Sequence, residues 1–330
     1  MNINKEIIKR AKEKNKTIVF PEASFSDRIS KAGIKIAKMG LAKVIFIGDE
    51  SSMSLQLKKN DLKYVTVYNP KTFEHKQKII EHIFEKRKHK GITIEEATSL
   101  ADDPIYFATA LTTMGYADGM ICGAEVPTAN TLRPALQIIG TKEGLCSSYF
   151  LMLGKNRVTD DVFMMGDCAV VEDPTYEQLT AIAELILEEN KKFNLFNPRF
   201  AFLSYSTYGS AFSPSTEKVS KAYQLFINRN PEIKAVGEAQ FDASVSTRVA
   251  SVKMAGREQS IPANVFIMPN IDAGNICYKA IQYFGHLKAI GPITVGLKKP
   301  VNDLSRGCTI KEIITLTAIT VLQCEDKKEE

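Results

Sequence analysis

The sequence predicts an α/β protein whose strands form mainly parallel sheets. Short apolar runs, closed by proline or glycine, recur along the chain, and helical stretches separate several of them. Strands that alternate with helices in this way are typical of βαβ units. The runs that we interpret as buried strands are TIVFPE (17–22), KVIFIGDE (43–50), YVTVYNP (64–70), DGMICGA (118–124), RFAFLSYS (199–206) and NVFIMPN (264–270).

Three intervening segments have clear helical signals. The segment 27–40 places apolar residues at helical spacing and stops at a glycine. A long helix is predicted over 71–90, ended by Gly91. A third helix is predicted over 174–192, with Asp173 as its N-cap and a proline at its first position.

Composition and charge are those of a soluble globular protein and suit an anionic small-molecule ligand. The chain has 330 residues, of which 44% are hydrophobic and 25% charged, and a net charge of +5. This mild excess of positive charge suits an anionic small molecule but does not indicate nucleic-acid binding. The six cysteines form no C-x-x-C pair, and the N-terminal residues lack an apolar targeting segment. No apolar run approaches the length of a membrane span. We therefore expect a cytoplasmic protein with reduced thiols and no membrane partner.

Two arginines are predicted to stand directly before a helix, where the partial positive charge of the helix N-terminus disfavours a cation. Arg306 lies in NDLSRGCTIKE (302–312), and Arg133 precedes a proline in TLRPALQII (131–139). An anion held between each arginine and the free helix N–H groups would explain both positions. For Arg133 the alternative is an exposed side chain, with Thr131 as the helix cap.

Arg87 lies in a basic segment, EKRKHKG (85–91), at the predicted end of a helix, which is the favourable end for a cation. This is the densest basic cluster in the chain, and a polyphosphate is one ligand that suits it. The histidines at 75, 82 and 89 are seven residues apart, whereas a zinc pair on a helix needs a spacing of four. We interpret them as part of a solvated face and predict no metal site.

Other local patterns have structural explanations. Thr309 and Glu312 form T-x-x-E, the pattern of a capping box at a helix start. Cys168 and Cys308 have small or apolar neighbours and no histidine close by in sequence, so we predict buried, unreactive thiols. Neither the dinucleotide-binding nor the P-loop glycine pattern occurs in the chain.

Six short motifs, taken together, resemble the phosphate acetyltransferase family. They occur in the family's order and spacing from about residue 17 onwards. The resemblance implies reversible transfer of an acetyl group between acetyl phosphate and coenzyme A, as part of acetate and acetyl-CoA metabolism. It also implies inorganic phosphate as the other product, no covalently bound cofactor, no metal and a homodimer. The motifs are RPALQII, GDCAV, QFDA, DAGN, KPVND and LSRGC.

The same resemblance implies a fold of two three-layer αβα domains with mainly parallel sheets. The active site of such proteins lies in an interdomain cleft, and the architecture is similar to that of the isocitrate and isopropylmalate dehydrogenases. For this chain we expect residues 1–143 plus 296–330 to form domain I, completed by the C-terminal segment. Residues 144–295 are expected to form domain II.

Site residues follow by matching motifs. Ser305 and Arg306 match the family's active-site serine and phosphate-binding arginine. The family usually has an aspartate seven residues after that serine, as the base for the thiol, and this chain has Glu312 there. Tyr208 departs from the family, which often has a cation at this position. Coenzyme A or phosphate binding is assigned to Arg87, Arg133, Gly307 and Cys308, and the expected active-site neighbours are Cys168, Asp303, Ser206, Thr207 and Asn275.

Three other functions compete with this interpretation. A phosphate butyryltransferase, or another short-chain phosphate acyltransferase, would use the same chemistry with a longer acyl pocket. A β-decarboxylating dehydrogenase would require metal-binding aspartates and a nicotinamide site, and the sequence shows neither. A non-catalytic coenzyme A-binding protein would keep Arg87 and Arg133 but would not need Ser305 and Arg306.

Overall fold

The structure is a computed structural model that describes residues 3–54, 59–156, 158–159, 161–256 and 262–325. The chain divides into two compact units. Unit 1 comprises Met1–Gly144 and Leu297–Glu330, and unit 2 comprises Leu145–Gly296. Each unit contains one β-sheet with helices packed against it. Within the described ranges, no helix combines the length and apolar character needed to cross a membrane.

Strands and helices alternate over much, though not all, of the described chain. The strands are β1 (Thr17–Phe20), β2 (Lys43–Ile47), β3 (Thr66–Tyr68), β4 (Gly119–Cys122), β5 (Ser147–Leu153), β6 (Val162–Gly166), β7 (Arg199–Leu203), β8 (Lys234–Ala239), β9 (Val265–Ile267), β10 (Lys288–Val295) and β11 (Val301–Asp303). The helices are α1 (Ile3–Lys12), α2 (Asp27–Lys38), α3 (Glu50–Ser54), α4 (Lys76–Arg87), α5 (Ile94–Asp102), α6 (Pro104–Thr113), α7 (Thr128–Pro134), α8 (Tyr176–Phe193), α9 (Pro214–Arg229), α10 (Phe241–Val245), α11 (Thr247–Lys253), α12 (Ile271–Phe284) and α13 (Ile310–Gln323).

The sheet of unit 1 is entirely parallel, in the order β11-β4-β1-β2-β3. Its central strands β1 and β4 are short and mainly apolar because helices cover both faces of the sheet. The carboxyl ends of β1, β4 and β11 therefore meet at one edge, where the segments 21–26, 123–127 and 304–309 follow them. Ligands of open parallel sheets bind at this edge.

The last part of unit 1 is integral to its core. Strand β11 pairs with β4, with Val301 opposite Met120. Helix α13 packs against α1 and α2, and its residues from Ile313 to Gln323 are all buried. The segment after residue 297 therefore completes both the sheet and the helical layer of unit 1.

The sheet of unit 2 is mixed, in the order β10-β5-β6-β9-β7-β8. Strands β6, β9, β7 and β8 are parallel, whereas β5 is antiparallel to both of its neighbours. Its buried strands supply the unit's largest core side chains, among them Tyr149, Phe200, Phe202 and Phe266.

The predicted fold class, α/β with mainly parallel sheets, is confirmed, and each of the six predicted apolar runs contains a strand. Two predicted helix starts are wrong. The helix predicted over 71–90 begins at Lys76, because residues 69–72 form a turn in which Asn69 accepts hydrogen bonds. Helix α8 is capped by Thr175, which forms a capping box with Gln178, whereas Asp173 pairs with Lys218.

Candidate active site

The segment that follows β11 forms a tight exposed turn. The N–H of Cys308 donates to the carbonyl oxygen of Ser305 at 2.9 Å, which places Arg306 and Gly307 at the centre of a β-turn. Ser305, Arg306 and Gly307 are exposed, whereas Cys308 is buried. Helix α13 begins two residues later, with Thr309 as its N-cap. The predicted position of Arg306, directly ahead of a helix, is confirmed.

The predicted capping box at the start of α13 is also confirmed. The N–H of Thr309 donates to Oε2 of Glu312 at 2.7 Å, and the Thr309 hydroxyl donates to the same oxygen at 3.0 Å. The N–H of Glu312 donates in return to the Thr309 hydroxyl at 3.3 Å. The carboxylate is therefore held within one helical turn of the Ser305–Cys308 turn, and a base in this position would share its Oε2 atom with the cap.

Arg28, on α2, joins this turn to the segment that follows β4. Its Nη1 donates to the carbonyl oxygens of Arg306 at 2.8 Å and Cys308 at 3.0 Å. Its Nη2 donates to the carbonyl oxygen of Ala124 at 2.8 Å and to Oε1 of Glu125 at 2.9 Å. No local sequence pattern marks Arg28, because its partners lie roughly a hundred to three hundred residues away in the chain.

A buried glutamate binds the backbone of the segment that follows β4. Glu22, which follows β1, is fully buried and accepts the N–H groups of Ala124, Glu125 and Val126 at 2.9, 2.8 and 3.1 Å. Burial raises the pKa of the Glu22 carboxyl, and the three backbone donors oppose that shift. The final glutamate of the TIVFPE run is the sequence signal for this residue, since it follows a strand at the ligand-binding edge.

Asp303, predicted as an active-site neighbour, is the last residue of β11 and lies two residues before Ser305, where the turn begins. It is 2% exposed, and its Oδ2 accepts the Thr128 hydroxyl at 2.6 Å. Burial raises the pKa of Asp303 to about 6, and the hydrogen bond from Thr128 opposes that shift. Asp303 thus links the strand end to the first residue of α7.

The prediction that Arg133 stands before a helix is wrong. Helix α7 runs from Thr128 to Pro134 with Pro127 as its N-cap, so Arg133 is in the last turn. The chain continues through Pro134 into a π-helical turn over Ala135–Ile139, because a wider turn tolerates the missing proline N–H. The helix-start argument for an anion therefore applies to Arg306 and not to Arg133.

Arg133 and Arg87 nevertheless lie near the same side chain, Tyr106 of α6. Burial raises the pKa of the Tyr106 phenol, and the positive charges of both arginines oppose the shift. The Tyr106 hydroxyl donates to Oε1 of Gln137 at 2.6 Å. Arg87 is the last residue of α4, which confirms its predicted place at the favourable end of a helix.

The prediction of a solvated histidine face is wrong for His75, which is half-buried against Phe73 and precedes α4, and for His82. The His82 side chain is half-buried, and burial lowers its pKa. Across the residues that the structure describes, no group of three or more His, Cys, Asp or Glu side chains is arranged to hold a metal.

In unit 2 the predicted neighbours lie at the carboxyl ends of its parallel strands. Cys168 follows β6, and its carbonyl oxygen accepts the side-chain amide of Asn275 at 3.1 Å. The Ser206 hydroxyl, after β7, donates to Oε1 of Glu238 at 2.9 Å, and the Thr207 hydroxyl accepts the N–H of Gln240 at 3.0 Å. Cys168 is thus hydrogen-bonded to Asn275. Ser206 and Thr207 are hydrogen-bonded to residues at the end of β8.

The predicted burial of both thiols is confirmed. Cys168 is fully buried, and burial raises its pKa well above the usual range of a thiol. Burial also raises the pKa of Cys308 to about 11, with the charge of Arg28 opposing the shift. Neither cysteine has the electropositive, accessible surroundings that make a thiolate nucleophile.

We expect Cys168→Ser to remain active, without an acyl-enzyme intermediate in the wild type or the variant. The Cys168 thiol donates to the carbonyl oxygen of Met165, and a serine hydroxyl can make the same bond. Initial-rate kinetics should give intersecting patterns, and mass spectrometry after mixing with acetyl phosphate should find unmodified protein. Ping-pong kinetics with a trapped acyl-cysteine would contradict this expectation.

Comparison with known proteins identifies relatives over almost the whole chain. A family model described as phosphate acetyl/butaryl transferase matches residues 2–321. A phosphate acetyltransferase from Acetivibrio thermocellus is 42% identical, over 98% of this chain and 99% of its own length. A phosphotransacetylase structure from Streptococcus pyogenes has a TM-score of 0.89 and 38% identity, covering 97% of this chain and 98% of that one. The EutD phosphotransacetylase from Staphylococcus aureus has a TM-score of 0.87 and 36% identity, covering 98% and 99% respectively.

Proposed function

The chain belongs to the phosphate acetyl/butaryl transferase family, and from this premise we propose that it transfers an acetyl group reversibly between acetyl phosphate and coenzyme A. The observation that carries the proposal is the full-length similarity to curated proteins that are named phosphate acetyltransferases. The exposed turn before α13 supports the proposal, since it places Arg306 directly ahead of a helix N-terminus, where an anion is favoured.

The nucleophile in this reaction is the thiolate of coenzyme A. An ordinary thiol has a pKa of about 8.5, so most of it is protonated at neutral pH. We assign Glu312 as the base that removes the proton, a role that typically contributes about 10²–10⁴ in rate. The hydrogen bonds from Thr309 support this assignment because they fix the carboxylate beside the turn, although they also explain the residue as a cap.

Arg306 and Ser305 act on the acetyl phosphate. As the thiolate attacks the carbonyl carbon, negative charge develops on the carbonyl oxygen, and cleavage of the C–O bond then places further negative charge on the departing phosphate. The guanidinium of Arg306 binds the phosphate and stabilises the charge that develops on it, while the Ser305 hydroxyl and the Gly307 N–H stabilise the charge on the carbonyl oxygen. The exposure of these three residues supports the assignment, since a substrate can reach them.

Arg87 and Arg133 bind phosphate groups of coenzyme A. The position of both arginines supports this assignment. Each lies close enough to Tyr106 for its charge to oppose the rise in the pKa of the Tyr106 hydroxyl, so the two positive charges lie in the same region of unit 1. Lys86, Lys88 and Lys90 extend the positive charge along the same segment. A polyphosphate portion of a substrate is the ligand that suits such a cluster.

The active form is a homodimer in the cytoplasm, without a resident metal or covalent cofactor. Helix α12 supports the dimer, because it exposes apolar side chains that a monomer would leave in water. Ile276 is 68%, Tyr283 76% and Phe284 88% exposed. A second copy of the chain is the partner that we assign to this surface.

An acyl-phosphate series tests the function. With coenzyme A and a chelator present, we expect acetyl phosphate to form a thioester at the highest kcat/KM, with propionyl and butyryl phosphate slower. Thioester absorbance measures the rate. A preference for butyryl phosphate would identify a phosphate butyryltransferase, and coenzyme A binding without any thioester would identify a non-catalytic binding protein.

A further inference from the structure

We propose that Arg28 is a positioning residue for acyl transfer, which sets the orientation of the Ser305–Cys308 turn without touching the substrates. The proposal rests on the function proposed above, since it assigns Arg28 to the turn that carries Ser305 and Arg306. Nothing in the motifs LSRGC or KPVND points to this residue, which lies on α2.

The guanidinium bridges two segments that both follow strands of the parallel sheet. On one side it binds the carbonyl oxygens of Arg306 and Cys308, and on the other that of Ala124. Its ion pair with Glu125 at 2.9 Å completes the bridge. A planar guanidinium offers donors in a fixed fork, which no other side chain can match.

These contacts occupy the Nη hydrogen-bond donors of Arg28, so few donors remain for a substrate. Each Nη atom carries two hydrogens, and each has two oxygen partners in the structure. The side chain is 33% exposed, so its position next to the turn does not make it a free anion ligand. Arg28 therefore acts through the backbone that it holds.

The backbone consequence follows from the planar peptide bond. In a trans peptide the C=O and N–H groups point in opposite directions. By holding the carbonyl oxygen of Arg306, Arg28 fixes the direction of the Gly307 N–H, and by holding that of Cys308 it fixes the Thr309 N–H. The first is the donor assigned to developing charge and lies 3.4 Å from the Ser305 hydroxyl oxygen, to which it donates in the structure; the second donates to Glu312 at 2.7 Å.

The other end of the bridge is itself immobilised. Glu22 holds three consecutive N–H groups of the segment after β4. The Ser26 hydroxyl donates to Oε1 of Glu125 at 2.7 Å while also serving as the N-cap of α2. These hydrogen bonds thus fix the position of the Ser305–Cys308 turn relative to the carboxyl edge of the sheet. A fixed position keeps hydrogen-bond donors preorganised.

Kinetics of Arg28→Met and Arg28→Lys in the full chain test the proposal, with Lys31→Met as the matched control. Lys31 is on the same helix and forms an exposed pair with Asp27. We expect Arg28→Met to lower kcat by about tenfold or more, with both KM values within about threefold of wild type. Arg28→Lys keeps the charge but cannot span both segments, so it should recover only part of kcat, while Lys31→Met should match wild type.

A double-mutant cycle separates positioning from stability. If Arg28 acts through the turn, Arg28→Met should cost at least about threefold less in a Ser305→Ala background than in wild type. Wild-type kcat in Arg28→Met, or equal losses in both backgrounds, would overturn the proposal. If Arg28→Met does not fold, the same cycle is run with Arg28→Lys. If Ser305→Ala and Arg306→Ala keep wild-type turnover, the proposed active site itself is wrong. If these two variants lose turnover while the Arg28 variants keep it, only the role proposed for Arg28 is refuted.

Discussion

We expect Arg306→Ala to lower kcat by about two to three decades while changing the KM for coenzyme A little, because removal of one preorganised donor to developing charge typically has this effect. Arg306 is exposed at the centre of the turn before α13, so its side chain is available to a phosphate rather than used in packing. Steady-state rates with each substrate varied in turn measure the two parameters.

Arg133→Ala is the matched comparison for this result. Arg133 is assigned to a phosphate group of coenzyme A that is remote from the reacting atoms, so its loss should mainly raise the KM for coenzyme A. Arg306→Lys should recover part of kcat, since a lysine keeps the charge but not the planar pair of donors. If Arg306→Ala and Arg133→Ala had the same kinetic phenotype, the division of roles between the two arginines would be wrong.

Glu312→Gln should lower turnover by about two decades or more if Glu312 is the base, with little change in thermal stability. Glutamine keeps the length of the side chain and can still accept the hydrogen bonds from Thr309, because a capping box works with either residue. The substitution therefore removes basicity and charge but leaves the cap. Turnover and the thermal midpoint are measured on the same preparation.

Two further variants complete the Glu312 series. Glu312→Ala removes the cap as well and should cost about 1 kcal/mol of stability in addition to its loss of turnover. Glu312→Asp keeps a carboxylate, which is the family's usual residue, and should remain active. Near-wild-type turnover in Glu312→Gln would leave Glu312 as a helix cap alone.

The parts of the fold that local sequence determines were predictable. After their first residue, the strands TIVF and RFAFL are apolar throughout because both faces of their sheets are covered, and this leaves a clear pattern. The capping box of Thr309 and Glu312 also involves residues three apart. Arg133 shows the limit of such rules. Pro134 predicts a helix start, but in the structure it is the last residue of α7 and a π-helical turn follows it.

The candidate site was predictable where it follows a motif and not where it depends on tertiary contacts. The place of Arg306 before a helix could be read from eleven residues of sequence. Arg28 and Tyr106 could not, because each gains its role from partners brought close only by the folded sheet and helices. A guanidinium that binds carbonyl oxygens requires no particular side chain in its partners, so it leaves no trace in their sequence.

The discontinuity of unit 1 also dictates the order in which the protein can mature on the ribosome. Unit 2 is one continuous stretch, so it can fold while the segment after residue 297 is still being synthesised. Until that segment emerges, β4 lacks its β11 neighbour, and α1 and α2 lack the cover of α13. Until then the nascent chain exposes an open sheet edge and apolar helix faces, features that favour aggregation of incomplete chains. Because the turn bearing Ser305 and Arg306 lies in the same segment, the candidate site cannot form before this segment has folded onto unit 1.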